Sequence, residues 1–530
     1  MHLFFGRHKI LLSLLTLLLI GGSVSLRSQG KPTRPVRLVV LVAVDQLRYD
    51  YLTRFRDEYS AGFDRLLKNG AVFVNANLEH YPTVTAIGHS TMMSGATPAE
   101  SGIMGNDWYD REAGKTVTSV SDDTVKQLGS AAPSSASPRR MLVSTVGDEL
   151  KRAQHGAKVI GISLKDRSAI LPAGHSANAA YWYDAKAGTF ISSSYYFDDL
   201  PGWVKEFNSL RLPDKFAGQE WPYDKSPTGL FKMPSEAGPK LAGAVYSTPF
   251  GNDFLERFAE ETIAQEQLGQ RDTTDLLTVS FSSNDAVGHS FGPDSPQAHD
   301  ISVRTDKVLG RLFDYLNQKI GMDHVIVILT ADHGVMPLAE TLAEEKMPGG
   351  RMTGGSLFQP MQDALTARYG EGKWLLDTAG SSPYFNLDLI REKKLDRAEV
   401  ERVAAAAVEY LPHVSRVYTR YQLAHGEVPA DVLSQRVIRS FNARRSGDLE
   451  VLLDPYWIRS KTGTTHGTPY SYDTHIPLIF MGPGIKAGRY VRPVALNDLA
   501  PSLATLLDVE TPSGSVGRPL GEMMSAAADK

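Results

Sequence analysis

Three carboxylates and three imidazoles stand beside apolar runs of this 530-residue sequence, and all six are good metal ligands. They are Asp45, Asp285, His289, Asp332, His333 and His466. Asp285 and His289 are four residues apart, which places both on one side of a helical turn where both can reach one ion. Asp332 and His333 are adjacent and diverge in an extended chain, so each can serve a different ion. Six nitrogen and oxygen ligands without sulfur suit two Zn²⁺ ions or a similar divalent pair.

Hydroxyl groups near the start of a predicted helix are candidate nucleophiles. The segment Tyr-Pro-Thr-Val-Thr-Ala-Ile-Gly-His-Ser contains Thr83, Thr85 and Ser90, and Pro82 predicts a loop before the helix. A hydroxyl at a helix N-terminus meets unpaired N–H groups and the positive end of the dipole, which favour its alkoxide and a bound phosphate. Alternatively, Thr83 or Thr85 is only an N-cap, and physical arguments alone do not choose between the two. We expect His89 to brace this helix rather than to bind metal.

Five apolar runs, each ended by polar residues or glycine, indicate buried strands of a mostly parallel sheet. The runs are Val36–Val44, Lys158–Ser163, Leu276–Phe281, His324–Thr330 and Ile476–Met481. Apolar residues at helical spacing between Ile301 and Leu316 predict a crossover helix. The sequence therefore predicts a doubly wound α/β fold in which helices sandwich the sheet. Because ligands gather beyond the carboxyl ends of parallel strands, the candidate metal ligands are expected at that edge.

Two stretches interrupt the strand and helix alternation of the predicted catalytic domain, 36–530. Residues 172–249 are rich in Gly, Pro, Ser and aromatics, and residues 347–461 carry their own strand and helix signals. We interpret both as insertions that wall the active site. In the second, Asp396 and Glu399 predict a capping box for a helix that runs to Leu411. Residues 496–507 predict a last helix on the core.

The composition is that of a globular protein and argues against a nucleic-acid partner and against disulfides. The chain is 42% hydrophobic and 22% charged, as expected for a globular domain, and its net charge of -4 gives no basic excess for a nucleic-acid partner. The sequence contains no Cys, which excludes disulfides and thiolate metal ligands. We expect a monomer.

The first 25 residues are typical of a secretory signal peptide. A basic segment, 7–9, precedes an apolar run, 10–20, that is short for a membrane span, and small residues follow. We therefore expect a periplasmic or secreted protein that has no stable membrane insertion after cleavage.

Seven motifs in this order resemble the alkaline phosphatase superfamily, most closely its threonine-nucleophile branch, the phosphate-irrepressible or PafA-type alkaline phosphatases. The resemblance runs from Val39 to about Leu507. The motifs are Ala-Val-Asp45-Gln, Pro-Thr-Val-Thr85-Ala-Ile-Gly-His, Gly-Asn106-Asp-Trp-Tyr-Asp, Ser-Leu-Lys165-Asp-Arg167, Asn-Asp285-Ala-Val-Gly-His289, Ala-Asp332-His333-Gly and Thr-Thr-His466-Gly.

The resemblance implies a phosphomonoesterase with two Zn²⁺ per chain that works through a phosphothreonine intermediate at Thr85. It implies that Asp285, His289 and His466 hold one zinc. It also implies that the other zinc is held by Asp45, Asp332, His333 and the Thr85 oxygen. Asn106, Lys165 and Arg167 would then contact the phosphoryl group of a small-molecule phosphate monoester.

Charge supports a dianionic substrate. Two Zn²⁺, three carboxylates and the Thr85 alkoxide sum to zero, so that Lys165 and Arg167 add two positive charges that match a phosphate monoester dianion. Alternatively, Lys165 and Arg167 form an exposed turn that pairs with Asp166.

Three other functions compete with a phosphomonoesterase. A nucleotide pyrophosphatase or phosphodiesterase of the same superfamily is the main alternative, because it resembles this chain in the same metal ligands, threonine and asparagine. A sulfatase is disfavoured, since no Cys and no Ser-x-Pro-x-Arg motif is present. A metal-stabilised binding protein without catalysis would be expected to lack a ligand or the nucleophile, and neither is missing.

Overall fold

A computed structural model describes residues 35–131, 135–224, 229–352, 357–378 and 382–525. The predicted signal peptide, 1–25, lies outside these residues. Within the part of the chain that the structure describes, no helix is both long enough and apolar enough to cross a bilayer.

The strands of the described residues are numbered in chain order. They are β1 Leu38–Val44, β2 Ala71–Asn77, β3 Asp107–Asp110, β4 Lys115–Thr118, β5 Gln127–Leu128, β6 Val159–Ser163, β7 Ala179–Asp184, β8 Thr189–Ser193, β9 Glu220–Pro222, β10 Leu230–Lys232, β11 Asp275–Phe281, β12 Val325–Thr330, β13 Gly350–Arg351, β14 Leu375–Asp377, β15 Tyr384–Phe385, β16 Val414–Thr419, β17 Leu449–Leu453, β18 Trp457–Ile458, β19 His475–Met481, β20 Gly488–Tyr490 and β21 Val494–Ala495.

The α-helices of the same residues follow the same order. They are α1 Tyr51–Arg54, α2 Gly62–Asn69, α3 Thr85–Ser94, α4 Pro98–Ser101, α5 Val146–Ala153, α6 Asp166–Ala173, α7 Gly202–Ser209, α8 Pro239–Tyr246, α9 Pro249–Gln265, α10 Ser283–Phe291, α11 Pro296–Lys319, α12 Ala339–Glu344, α13 Phe358–Tyr369, α14 Leu387–Glu392, α15 Arg397–Ala406, α16 Arg420–His425, α17 Val432–Ile438, α18 Ser471–Thr474 and α19 Leu499–Leu507. Short 3₁₀ turns lie at Arg56–Glu58, Pro138–Arg140, Leu212–Phe216, Met322–His324, Leu496–Asp498 and Gly521–Met523.

A central sheet organises the molecule, in the order β20-β2-β19-β12-β1-β11-β6-β7-β8-β5, with β21 also paired to β2. The strands β12, β1, β11, β6 and β7 run parallel to one another. All seven residues of β1 are buried, as expected for a strand covered on both faces. Helices α2, α9, α10 and α11 pack together on the sheet, and α3, α5, α6 and α19 form a second group. The predicted fold class is confirmed.

The last predicted strand runs against the others. β19 pairs antiparallel with both β12 and β2. A continuous apolar run carries no information on strand direction, so the sequence pattern could not reveal this. The reversal has a consequence for the site: the chain enters β19 at the sheet edge where β1, β11 and β12 end.

The stretch 172–249 differs from the predicted insertion. Its strand β7 pairs in parallel with β6, and β8 pairs antiparallel with β7, so both belong to the central sheet. These strands contain aromatic, small and hydroxyl-bearing residues and lack the continuous aliphatic run that marks the other strands. Only the later part of this stretch lies outside the central sheet, with the hairpin β9–β10.

The stretch 347–461 has a core of its own, formed by α13, α15 and the hairpins β14–β15 and β16–β17 outside the central sheet. Helix α15 begins where predicted, and the Asp396 side chain accepts a hydrogen bond from the Glu399 N–H at 2.9 Å. The second half of the predicted capping box is replaced, because the Glu399 carboxylate pairs with Arg402 instead. The helix ends at Ala406 rather than at Leu411, and a turn precedes Pro412.

Candidate active site

The ends of three parallel strands bring four candidate ligands to one edge of the sheet. Asp45 follows β1, Asp285 lies in α10 just after β11, and Asp332 and His333 follow β12. His466 comes from the segment before β19, which reaches the same edge because β19 is antiparallel. His289 is one turn further along α10 from Asp285.

Asp285, His289 and His466 form the first cluster. One ligand atom of each residue lies within 4.8 Å of the others. His289 Nε2 is 3.2 Å and His466 Nε2 is 3.7 Å from Asp285 Oδ1. Two imidazoles and a carboxylate around one point are a donor set that suits zinc.

Hydrogen bonds fix the orientation of three imidazoles. The Nδ1 atoms of His289, His466 and His333 donate to the carbonyl oxygens of Thr464, Thr83 and Gly334, at 2.8, 2.8 and 2.9 Å. A carbonyl oxygen only accepts, so in each ring Nδ1 carries a proton, and the Nε2 lone pair remains available when the ring is neutral. Metal-binding histidines are commonly held in this way.

Asp332, His333, Thr85 and Asp45 form the second cluster. His333 Nε2 lies 3.2 Å from Asp332 Oδ2 and 3.5 Å from Thr85 Oγ1. Asp332 is fully buried, and its Oδ2 accepts no hydrogen bond from the described residues. A buried carboxylate oxygen without a donor is costly unless a cation compensates it. The donor set of this cluster therefore fits a divalent cation.

His89 lies beside the second cluster, within 4.8 Å of Asp45 and Asp332 ligand atoms. Both of its ring nitrogens are already in hydrogen-bonding contact, Nδ1 with the Thr85 carbonyl oxygen at 2.9 Å and Nε2 with Ser280 Oγ at 2.8 Å. The contact with Ser280 links α3 to β11. Both contacts favour the predicted brace over a metal ligand.

The three candidate nucleophiles point in different directions. Thr85 is the first residue of α3, after Val84 as N-cap. Thr83 Oγ1 donates to the Thr468 carbonyl oxygen at 2.9 Å, and Ser90 Oγ donates to the Ile87 carbonyl oxygen at 2.9 Å. Of these three hydroxyls, the one that faces a candidate metal ligand is that of Thr85.

Close backbone packing positions Thr85 within the second cluster. A Cβ atom on Gly88 would lie 2.4 Å from the Asp332 carbonyl oxygen and 2.6 Å from Asp332 Cα. Only glycine therefore lets α3 approach the end of β12 this closely. Gly88 is one turn after Thr85, so the same contact sets the depth of the Thr85 hydroxyl.

Lys165 joins the two clusters. Its Nζ donates to Asp285 Oδ2 at 2.7 Å and to Asp45 Oδ2 at 2.9 Å. Burial favours the neutral amine, but the carboxylates of Asp285 and Asp45 outweigh it and raise the pKa of Lys165 well above its usual value. Burial likewise would raise the pKa of Asp45, yet the Lys165 ammonium holds it well below its usual range. The three groups are therefore charged at neutral pH.

Arg167 and Asn106 lie at the starts of α6 and β3. The Arg167 guanidinium is 3.6 Å from Asp166, and its Nε is buried without a hydrogen bond to the described residues. The alternative pairing with Asp166 is thus present but leaves that N–H free. Asn106 Oδ1 accepts a hydrogen bond from the Ala86 N–H at 3.0 Å, which fixes the amide beside the first turn of α3.

Two residues of the site were not singled out by the sequence patterns. The Gln46 backbone N–H donates to Asp332 Oδ1 at 3.0 Å, and its side-chain Nε2 donates to Asp285 Oδ1 at 2.8 Å. Ser280 Oγ donates to Asp45 Oδ1 at 2.6 Å. The position of Gln46 directly after Asp45 was the available signal, whereas Ser280 lies inside the buried strand β11 and gave none.

Two cavities open beside the clusters. One, of about 280 Å³, is lined by Tyr81, Asn106, Trp108, Tyr384 and Glu450 among others. The other, of about 1020 Å³, reaches His466 and shares Tyr81 and Val84 with the first. The stretch 347–461 supplies part of both walls, as predicted, whereas no described residue of 172–249 lines either cavity.

A sequence model of the type I phosphodiesterase / nucleotide pyrophosphatase family matches residues 39–475. This match spans both clusters and the central sheet as far as the first residue of β19. The chain belongs to that family.

Relatives that match this chain along almost its whole length are named alkaline phosphatases. The chain is 36% identical to alkaline phosphatase PafA of Elizabethkingia meningoseptica, over 96% of this chain and 98% of that protein. It is 38% identical to alkaline phosphatase PhoV of Synechococcus elongatus, over 92% and 93% of the two chains. A crystal structure of wild-type alkaline phosphatase PafA superposes with a TM-score of 0.87 at 36% identity, covering 93% of this chain and 99% of that one. The predicted resemblance to the PafA-type alkaline phosphatases is confirmed.

Proposed function

We propose that this protein is a periplasmic or secreted phosphomonoesterase that hydrolyses small phosphate monoesters with two zinc ions and a phosphothreonine intermediate at Thr85. The observation that carries the proposal is the position of the Thr85 hydroxyl, at the start of α3 and 3.5 Å from His333 Nε2. Relatives along the whole chain are named alkaline phosphatases, which supports the same activity here. We propose that it acts as a monomer without a nucleic-acid partner.

Two groups of residues would hold the zinc ions. Asp285, His289 and His466 would hold one, and Asp45, Asp332, His333 and the Thr85 oxygen the other. When bound, zinc supplies positive charge that polarises phosphoryl oxygens and lowers the pKa of a coordinated hydroxyl. The unsatisfied Asp332 Oδ2 and the three Nδ1-anchored imidazoles support this assignment.

Thr85 performs the first step. Its Oγ1 attacks phosphorus in line, a P–O bond to Thr85 forms, and the ester P–O bond breaks to release the alcohol, which takes up a proton. The N-terminal N–H groups of α3 favour the negative charge that gathers there. In the second step water attacks the phosphothreonine, which releases inorganic phosphate and restores the Thr85 hydroxyl.

Three polar residues are proposed to favour a dianionic phosphoryl group. Arg167 has a buried Nε that lacks an acceptor among the described residues, and Asn106 is fixed through its Oδ1, which leaves its Nδ2 donor for a phosphoryl oxygen. Lys165 carries its charge between the two clusters. Together the two cations match the two negative charges of a monoester.

A phosphodiesterase is the second candidate. The cavity of about 280 Å³ beside Asn106 has aromatic walls from Tyr81, Trp108 and Tyr384, which suit an apolar substituent on phosphorus. The matched family also includes phosphodiesterases by its name. The ratio of activity on p-nitrophenyl phosphate to activity on its bis ester separates the candidates, and a strong diester preference would favour the second.

The covalent intermediate gives the direct test. Acid-quenched wild-type enzyme that has turned over p-nitrophenyl phosphate should yield a peptide phosphorylated at Thr85 by mass spectrometry. Thr85→Ala should lose both the label and turnover while it retains zinc in the first cluster, whereas Ser90→Ala should keep the label. A label on another residue, or full turnover by Thr85→Ala, would reject the nucleophile. N-terminal sequencing of the exported protein tests whether the predicted signal peptide, residues 1–25, is removed.

A further inference from the structure

A large cavity adjoins the cluster that contains His466. Its volume is about 1020 Å³, and it extends from Val84 and His466 to Trp457 and Met352. That volume is at the upper end of the range typical of small-molecule sites and far exceeds the space that a phosphoryl group needs. Nothing in the reaction at Thr85 accounts for the remaining space.

The charged residues in the wall of this cavity are all basic. They are Arg351, Arg459 and Lys461, and none of its described lining residues is an Asp or Glu. The Arg351 guanidinium binds the Glu340 carboxylate, which offsets one of the three charges. Arg459 and Lys461 are the other two cations of the wall. Apolar walls beside such charges strengthen their attraction for an anion.

The segment that carries both cations is fixed to the active site. Arg351 donates to the carbonyl oxygens of Ser460 at 3.0 Å and of Gly463 at 2.7 Å. The Thr464 N–H donates to the His289 carbonyl oxygen at 2.9 Å. Arg459 and Lys461 thus have backbones held at a set position relative to the His289 and His466 imidazoles.

The cavity opens beside the first cluster, whereas the proposed nucleophile faces the second. In an in-line displacement the leaving oxygen is opposite the attacking one. Thr85 Oγ1 faces His333 in the second cluster, and the cavity reaches the first cluster at His466. A phosphoryl group held between the two clusters would direct its leaving oxygen toward the first cluster, beside which this cavity opens.

We infer that this cavity binds the alcohol portion of the substrate and that Arg459 and Lys461 favour monoesters whose alcohol carries a second anionic group, such as a carboxylate or another phosphate. The inference rests on the proposed phosphomonoesterase function. It defines a substrate class: phosphorylated hydroxy acids and bisphosphates are preferred over esters of neutral alcohols of the same size.

A matched pair of substrates tests this inference with the zinc-loaded full-length protein. Propyl phosphate and 2-carboxyethyl phosphate differ in one methyl group replaced by a carboxylate. The wild-type kcat/KM should be about fivefold or more higher for the carboxylate, mainly through a lower KM, and the preference should shrink in 0.5 M salt, a condition that we choose to screen exposed charges. Arg459→Gln with Lys461→Gln should reduce the ratio to about one, whereas the exposed control pair Lys486→Gln with Arg489→Gln should leave it unchanged.

The outcomes separate the two proposals. Hydrolysis of both substrates at equal kcat/KM, or a preference that survives the Arg459 and Lys461 substitutions, would overturn the inference and leave the phosphatase intact. If wild-type enzyme hydrolyses neither substrate and no other monoester, the phosphomonoesterase proposal fails and this inference fails with it.

Discussion

Lys165 Nζ lies 2.7 Å from Asp285 Oδ2, inside the group of carboxylates proposed to hold metal. The same ammonium contacts Asp45, so that one cation compensates a carboxylate of each cluster. All three side chains are buried. Without a cation at this point, two buried carboxylates would be left to repel each other. Lys165 therefore has a structural task besides the proposed contact with phosphate.

Lys165→Met removes this charge and keeps most of the side-chain volume. We expect the metal-free variant to be destabilised by about 3 kcal/mol, because Asp45 and Asp285 lose a buried partner. The loss should be smaller in excess zinc, since a bound cation compensates the same carboxylates. Urea unfolding with chelator and with zinc measures the difference, and the exposed Lys486→Met is the control. An equal loss under both conditions would contradict this role.

Lys165→Ala combined with Arg167→Ala tests substrate charge. A monoester dianion loses two cationic partners, whereas a diester has only one negative charge. We expect kcat/KM for p-nitrophenyl phosphate to fall by about 100-fold more than kcat/KM for the bis ester. This ratio corresponds to a difference of about 3 kcal/mol in transition-state stabilisation between the two esters. Steady-state kinetics on the two esters measures this. Equal losses of kcat/KM for the two esters would mean that Lys165 and Arg167 do not determine the specificity for monoesters.

His466→Ala should empty the first cluster. Its Nε2 is one of three ligand atoms grouped there, and two remaining ligands bind zinc much more weakly. We expect bound zinc to fall from about two ions to about one per chain in dialysed protein analysed by mass spectrometry. His425→Ala, which removes an exposed imidazole, should keep both ions. Unchanged stoichiometry in His466→Ala would reject the ligand assignment.

Part of the site could be predicted from local spacing. Asp285 and His289 are one helical turn apart, and α10 places them on one side as expected. The end of each apolar run also identified Asp45 and Asp332. These features depend on neighbouring residues only, so the sequence contains them directly.

The rest of the site depends on distant contacts. Thr83 and Thr85 are equivalent until the start of α3 is known, and the helix that begins at Thr85 packs through Gly88 on the Asp332 backbone. The direction of β19 decides whether His466 reaches the site, and its apolar run is the same in either direction. The double contact of Lys165 joins strands that are distant in sequence. Neither spacing nor composition carries this information.

Gly88→Ala tests the packing of α3 on the end of β12. The added Cβ would meet the Asp332 backbone, which cannot move aside as a flexible side chain would. We expect a loss of about 2 kcal/mol in stability and a large loss of activity, because Thr85 shifts with its helix. Gly243→Ala is the matched control: its Cβ would meet nothing within 4 Å in α8, so unfolding should be unchanged or slightly improved. Equal thermal midpoints of the two variants would contradict the packing argument.

Glu450 tests how the wall of the smaller cavity responds to pH. The Ser382 hydroxyl donates to its Oε1, and its Oε2 is buried without a hydrogen bond to the described residues. Burial raises the pKa of Glu450 to about 7, although the Ser382 hydrogen bond acts in the opposite direction. The fold therefore favours the protonated acid. Its contribution to stability is complete below the unfolded pKa of about 4.3 and is lost as pH rises through 7.

Glu450→Gln keeps this position neutral at every pH. At pH 8.5 we expect the variant to be more stable than wild type by about 2 kcal/mol, a value below the full shift because the residue is partly exposed. The difference should narrow as pH is lowered from 8.5 to 5, where the wild-type acid is protonated in the fold. Urea unfolding across this range measures it, with the exposed Glu427→Gln as control. A difference that is constant with pH would mean that Glu450 is already ionised in the folded protein over this range.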